Sequence, residues 1–123
     1  MREHRHVAPA AASRPPDPTA AVRRLPVVAI AGLREAFAAE VAERLPRLTG
    51  VVGRTDLSEL VTAVRDAHAL GSSAAVLGEP DASHCAREAE RLLLGLHAGA
   101  DASWFDAGRA VDDLNTHLLG WTA

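Results

Sequence analysis

Between Asp56 and Gly78 the apolar positions Leu60, Ala63, Val64, Ala67, Leu70, Ala74 and Leu77 recur three or four residues apart, the spacing of one helix face. At about 100° per residue they gather into a single arc. His68 falls at the flank of that arc, beside Val61, Arg65, Ser72 and Ala75. A histidine there is held by the helix yet keeps one ring nitrogen open to solvent. Asp56 with Glu59 reads as a capping box that starts this helix. Gly71-Ser72-Ser73 is weak sequence for its middle, since a Gly costs about 1 kcal/mol there relative to Ala. Either packing carries the helix through, or it kinks.

Three further segments show the same periodicity. Leu33, Phe37, Val41, Leu45 and Leu48 mark a preceding helix. Pro46 is expected to end or bend it, with Gly50 to Gly53 as the connection. After the stop and start at Gly78-Glu79-Pro80-Asp81, a stripe of Ala82, Cys85, Ala86, Ala89, Leu92, Leu93 and Leu96 runs until Gly99. Ser103, with Asp106 three residues on, opens a last helix with the stripe Ala107, Ala110, Val111, Leu114, Leu118 and Trp121. Leu25 to Gly32 is ambiguous: its β-branched run suits a buried strand, but nothing strand-like exists to pair with it. It is expected to be a short lead-in, helical or extended, packed on the domain. The fold class is therefore all-α, an up-down-up-down four-helix bundle over residues 25–123.

Composition sharpens this in two ways. Ala-rich apolar faces let helices approach closely, which favours a bundle over a sandwich or barrel, and 123 residues suffice for one core. Residues 1–24 hold four prolines and an Ala run with little apolar bulk, and read as a flexible tail. All 13 basic residues are Arg. Five of them stand in the tail against Glu3 and Asp17, whereas residues 25–123 carry eight Arg against 14 acids. An acidic domain of this kind is a poor nucleic-acid binder. No apolar run approaches a membrane span. The Leu25–Leu33 run starts late, contains Pro26 and leads into an Arg/Glu helix, so it does not read as a signal peptide. A lone Cys85 excludes an intrachain disulfide. Cytoplasmic residence is the expectation, with a monomer favoured.

The residues around His68 carry a resemblance. Ala67-His68-Ala69-Leu70 and the later Leu77-Gly78 resemble the histidine phosphotransfer (Hpt) domain of two-component phosphorelays, whose pattern runs Ala-His-x-Leu-Lys-Gly-Ser/Ala-x-x-x-Leu-Gly. Gly71 stands where that family usually has Lys, and Ser72 where it usually has Gly. Cys85, Ala89 and Glu90 look like the family's next helix, and Phe37 to Leu48 like the helix before the phosphorylated one. The resemblance implies that His68 accepts a phosphoryl group from a receiver-domain aspartate and passes it to another, with no kinase activity of its own. The partners implied are receiver domains of response regulators or of a hybrid histidine kinase. Mg²⁺ would sit on the receiver, so no cofactor is expected on this chain.

The chemistry asks little of the carrier: a neutral imidazole nitrogen is already a nucleophile near neutral pH, and the rest is positioning. Small residues at Gly71, Ser72 and Ala75 would let a partner's active-site loops approach, and Arg65 would substitute electrostatically for the missing Lys. The competing reading is a degenerate Hpt-like module that binds or dimerises through its small-residue face without transferring phosphate. Metal binding has less support. His4 and His6 sit on the tail, and His84, Cys85, His97 and His117 form no His-x-x-x-His or Cys-x-x-Cys pair. Cys85 lies on the apolar stripe and reads as a small core residue, Asp112-Asp113 as a solvated face, and Trp104 and Trp121 as packing.

Overall fold

Four helices account for the apolar stripes, in a computed structural model that describes residues 26–121: α1 Val27–Arg54, α2 Leu60–Val76, α3 Pro80–His97 and α4 Trp104–Leu118. Short 3₁₀ turns at Leu57–Glu59 and Leu119–Trp121 precede α2 and follow α4. No strand occurs among the described residues. Each helix packs antiparallel on its neighbours in the chain, and α4 returns to α1, where Asn115 donates to the Thr49 hydroxyl. The ring of contacts encloses a core centred on Leu48, Leu60, Leu70, Leu93, Leu114 and Leu118. This is the up-down-up-down bundle expected from the periodicity. The segment 1–24, read as a flexible tail, and the histidines on it lie outside the described residues.

Three connections use one device. Thr55, Gly78 and Gly99 adopt positive φ at the ends of α1, α2 and α3. At each, the following amide reaches back across the last turn: Asp56 to Val51, Glu79 to Ala74 and Ala100 to Gly95. These closures satisfy carbonyls that the helix end leaves unpaired. Glycine takes this conformation without steric cost at two of them. Thr55 does so with a side chain, which the sequence does not announce.

The first helix departs from expectation twice. Leu25 to Gly32 was expected to form a separate lead-in packed on the bundle. Instead α1 begins at Val27 and runs through it unbroken, with Val27 and Val28 exposed. Nor does Pro46 end the helix: α1 continues past it, and past Gly50 and Gly53, to Arg54. Proline deletes one hydrogen bond, to the Ala42 carbonyl, and both residues are exposed, so the loss falls outside the core. Leu45 and Leu48 are buried on the other side and anchor the turns around it. At the far end, Trp121 packs edge-on against Phe37 at 4.8 Å between centroids, beneath the Arg34 guanidinium at 4.5 Å.

The start of α2 is also simpler than a capping box. The Asp56 carboxylate accepts from the Ser58 amide and hydroxyl, opening the 3₁₀ turn that feeds α2, and no side-chain cap is made by Glu59. Ser103 caps α4 as read, accepting from the Asp106 amide at 3.1 Å. In mid-helix, Gly71 causes no break because α3 covers it. A Cβ there would stand 3.3 Å from the Ala86 Cβ, and the Gly71 carbonyl accepts a hydrogen bond from the buried Ser83 hydroxyl at 3.0 Å. Gly71→Ala is accordingly expected to gain less than the roughly 1 kcal/mol that alanine brings at an unobstructed helix position. Chemical denaturation checks this, and the full gain would mean that the α2–α3 contact is loose.

Candidate functional site

His68 stands in the middle of α2, held by the backbone of a helix whose next residues toward the core, Ala67 and Leu70, are fully buried. Its own side chain is 66% exposed. Its Nδ1 lies 3.1 and 3.2 Å from the two carboxylate oxygens of Glu90 on α3. Glu90 is itself only 23% exposed, the more buried member of the pair. A carboxylate only accepts hydrogen bonds, so Nδ1 carries the proton and donates it. In the neutral ring the lone pair is then on Nε2, and the exposed edge of the imidazole is the nucleophilic one.

About 200° around α2 from His68, a charged cluster fixes α2 against α1. Asp66 is fully buried, 0% exposed, and accepts from three guanidinium nitrogens. Arg47 grips it with both arms, at 2.7 and 2.6 Å, and Arg44 donates at 2.9 Å. Arg44 also reaches Glu40. Forked donation of this kind is the strongest form of side-chain hydrogen bond. It holds the Arg47 guanidinium above its ordinary range, first through the hydrogen bond and then through the charge of Asp66. The cluster sets the rotation of α2 about its axis, and hence the direction of His68.

The other residues singled out in the sequence divide. Ser72 is exposed one turn after His68, and lies on the rim of an open groove between α1 and α2 lined by Leu33, Phe37 and Val76. Ala75 is half-buried one turn further. Arg65 is exposed one turn before His68 and has no hydrogen-bond or ion-pair partner among the described residues. Gly71 does not belong to this surface: it is buried under α3, so the small-residue platform consists of Ser72 and Ala75 alone. Two exposed apolar residues extend the same face, Val61 two turns before His68 and Leu94 one turn after Glu90.

Glu90 and Asp66 were not recognised as site residues from the sequence, although both leave a trace in it. An antiparallel pair of helices joined at Gly78-Glu79 brings together positions equally far from the turn, and His68 and Glu90 satisfy this with a separation of 22. Asp66 lies three residues after Ala63 and four before Leu70, inside the apolar arc. Cys85 is half-buried against the core, and burial pushes its thiol up, away from the reactive thiolate. Trp104 and Trp121 pack on the core, and Asp112 and Asp113 are exposed, as read. Among the described residues no three His, Cys, Asp or Glu side chains converge on a common point that would hold a metal ion.

Residues 32–121 match the family model of the Hpt domain. No curated protein and no solved structure matches the chain.

Proposed function

The chain belongs to the Hpt domain family, whose role is histidine phosphotransfer, and from that premise we propose that His68 is its phosphoryl acceptor. The observation that carries the proposal is the Nδ1–Glu90 pairing on an otherwise open ring. The Nε2 lone pair attacks the phosphorus of an aspartyl phosphate held by a receiver domain. The N–P bond forms as the P–O bond to the aspartyl carbonyl breaks, and the carboxylate leaves with the electron pair. The ring gains positive charge in this step, and the Glu90 carboxylate is already in place to offset it. The Nδ1 proton stays where it is, so the reverse step needs no proton to be fetched. The receiver supplies the Mg²⁺ and the donor geometry, and this chain supplies a positioned nucleophile.

Docking is favoured by the surroundings. Ser72 and Ala75 leave room toward the end of α2, and Val61 and Leu94 offer apolar contact toward its start. The partners are receiver domains of response regulators or of a hybrid kinase, and the chain has no kinase activity of its own. Its place of action in this reading is the cytoplasm, where such receivers work. No helix among the described residues is long and apolar enough to cross a membrane.

Mixing the protein with phosphorylated receivers of the same organism tests the proposal. Acid-labile, alkali-stable label on the protein supports it; tight binding without label supports a docking module that has lost transfer. Glu90→Gln keeps a hydrogen-bond acceptor but removes the charge. It is expected to slow transfer about fivefold, what an exposed pair worth about 1 kcal/mol implies. Stopped-time labelling measures this, and an unchanged rate would remove Glu90 from the chemistry.

A further inference from the structure

We propose that Arg87, on α3, is the cation that holds the phosphoryl group on His68. The proposal rests on the reading of His68 as the acceptor and assigns the charge that reading lacks. A phosphoryl group on Nε2 carries close to two negative charges beside the Glu90 carboxylate, which repels it. A cation on the α3 side of the ring is needed to offset both. Position 71 cannot provide it, because it is a glycine pressed against Ala86. What occupies the space over Gly71 is the stem of Arg87: a Cβ at position 71 would lie 3.5 Å from the Arg87 Cγ. Arg87 is one turn before Glu90 on α3, and Gly71 is one turn after His68 on α2. The two antiparallel helices therefore put the Arg87 stem next to the His68–Glu90 pair. Arg87 is exposed and has no hydrogen-bond or ion-pair partner among the described residues, so its guanidinium is free to turn to an arriving phosphate.

Arg65 is the other free cation near the ring, but it lies on the wrong flank. At about 100° per residue, Arg65 and Gly71 fall on opposite sides of His68 around the α2 axis. Glu90 draws the ring toward the Gly71 side, away from Arg65. Ser72 is on the Arg65 side as well. The charge is thus supplied from the neighbouring helix, and guanidinium suits it, since its forked donors match phosphate oxygens.

The test phosphorylates the protein with potassium phosphoramidate, a small-molecule donor that needs no partner. The His68 phosphoryl resonance, identified by its absence in His68→Gln, is then followed by ³¹P NMR as a function of pH. A guanidinium beside the phosphoryl group lowers the pH at which that group takes up a proton. Arg87→Ala is expected to raise this midpoint by about half a unit, the screened end of what a neighbouring charge does. Arg87→Lys is expected to restore most of it, and Arg65→Ala to change it less. A midpoint unmoved in Arg87→Ala, or moved more in Arg65→Ala, overturns the role of Arg87 while leaving His68 as acceptor. A parent protein that takes no phosphoryl group on His68 overturns both.

Discussion

His68→Gln is expected to abolish phosphoryl transfer from a receiver, while melting within about 0.5 kcal/mol of the parent. The asymmetry follows from the placement of the ring. It is mostly outside the core, so its removal opens no cavity, and glutamine is a good helix former of similar reach. Its amide nitrogen has no lone pair available for attack, so the nucleophile is gone although the shape remains. Labelling by a phosphorylated receiver, run beside a thermal melt, measures both halves. A variant that still takes label would place the acceptor elsewhere. A variant that fails to fold would show that the imidazole, with its hydrogen bond to Glu90, is a structural element first.

The second large effect concerns stability rather than chemistry. Asp66→Ala is expected to cost about 2–3 kcal/mol, because three charge-assisted hydrogen bonds between α1 and α2 vanish. The figure stays below the worst case for a broken buried ion pair, since Arg44 and Arg47 are 29% and 44% exposed and can turn to water. The opposite deletion is worse: removing both arginines leaves a carboxylate at zero exposure with no partner. Urea denaturation of Asp66→Ala and of the Arg44→Ala, Arg47→Ala pair gives the order. A pair variant more stable than Asp66→Ala would mean that the carboxylate escapes to solvent when it is released.

What the sequence made legible was whatever repeats along one helix. The stripes of α2, α3 and α4 each reappear as buried faces, and Gly78, Gly99 and Ser103 end or begin helices as their local chemistry requires. Pro46 does not end α1, because its cost depends on which side of the helix it occupies, and only the packed structure decides that. Gly71 misled for a related reason. Sequence spacing places it beside His68, but the approach of α3 turns a surface position into a buried one. Glu90 meets His68, and Arg87 meets Gly71, across a helix pair, and such contacts are set by the turn between the helices rather than by either helix alone. The exposed placement of His68 was readable from α2, and the side chains beside it belong to α3.

The most direct test of this account asks which atom carries the phosphoryl group. The protein is labelled with ¹⁵N in its imidazoles and phosphorylated by an active receiver, and ³¹P–¹⁵N coupling then identifies the bonded nitrogen. The pairing of Nδ1 with Glu90 predicts a single phosphorylated site, Nε2 of His68. A phosphoryl group on Nδ1 of His68, on any other histidine, or on none would contradict it.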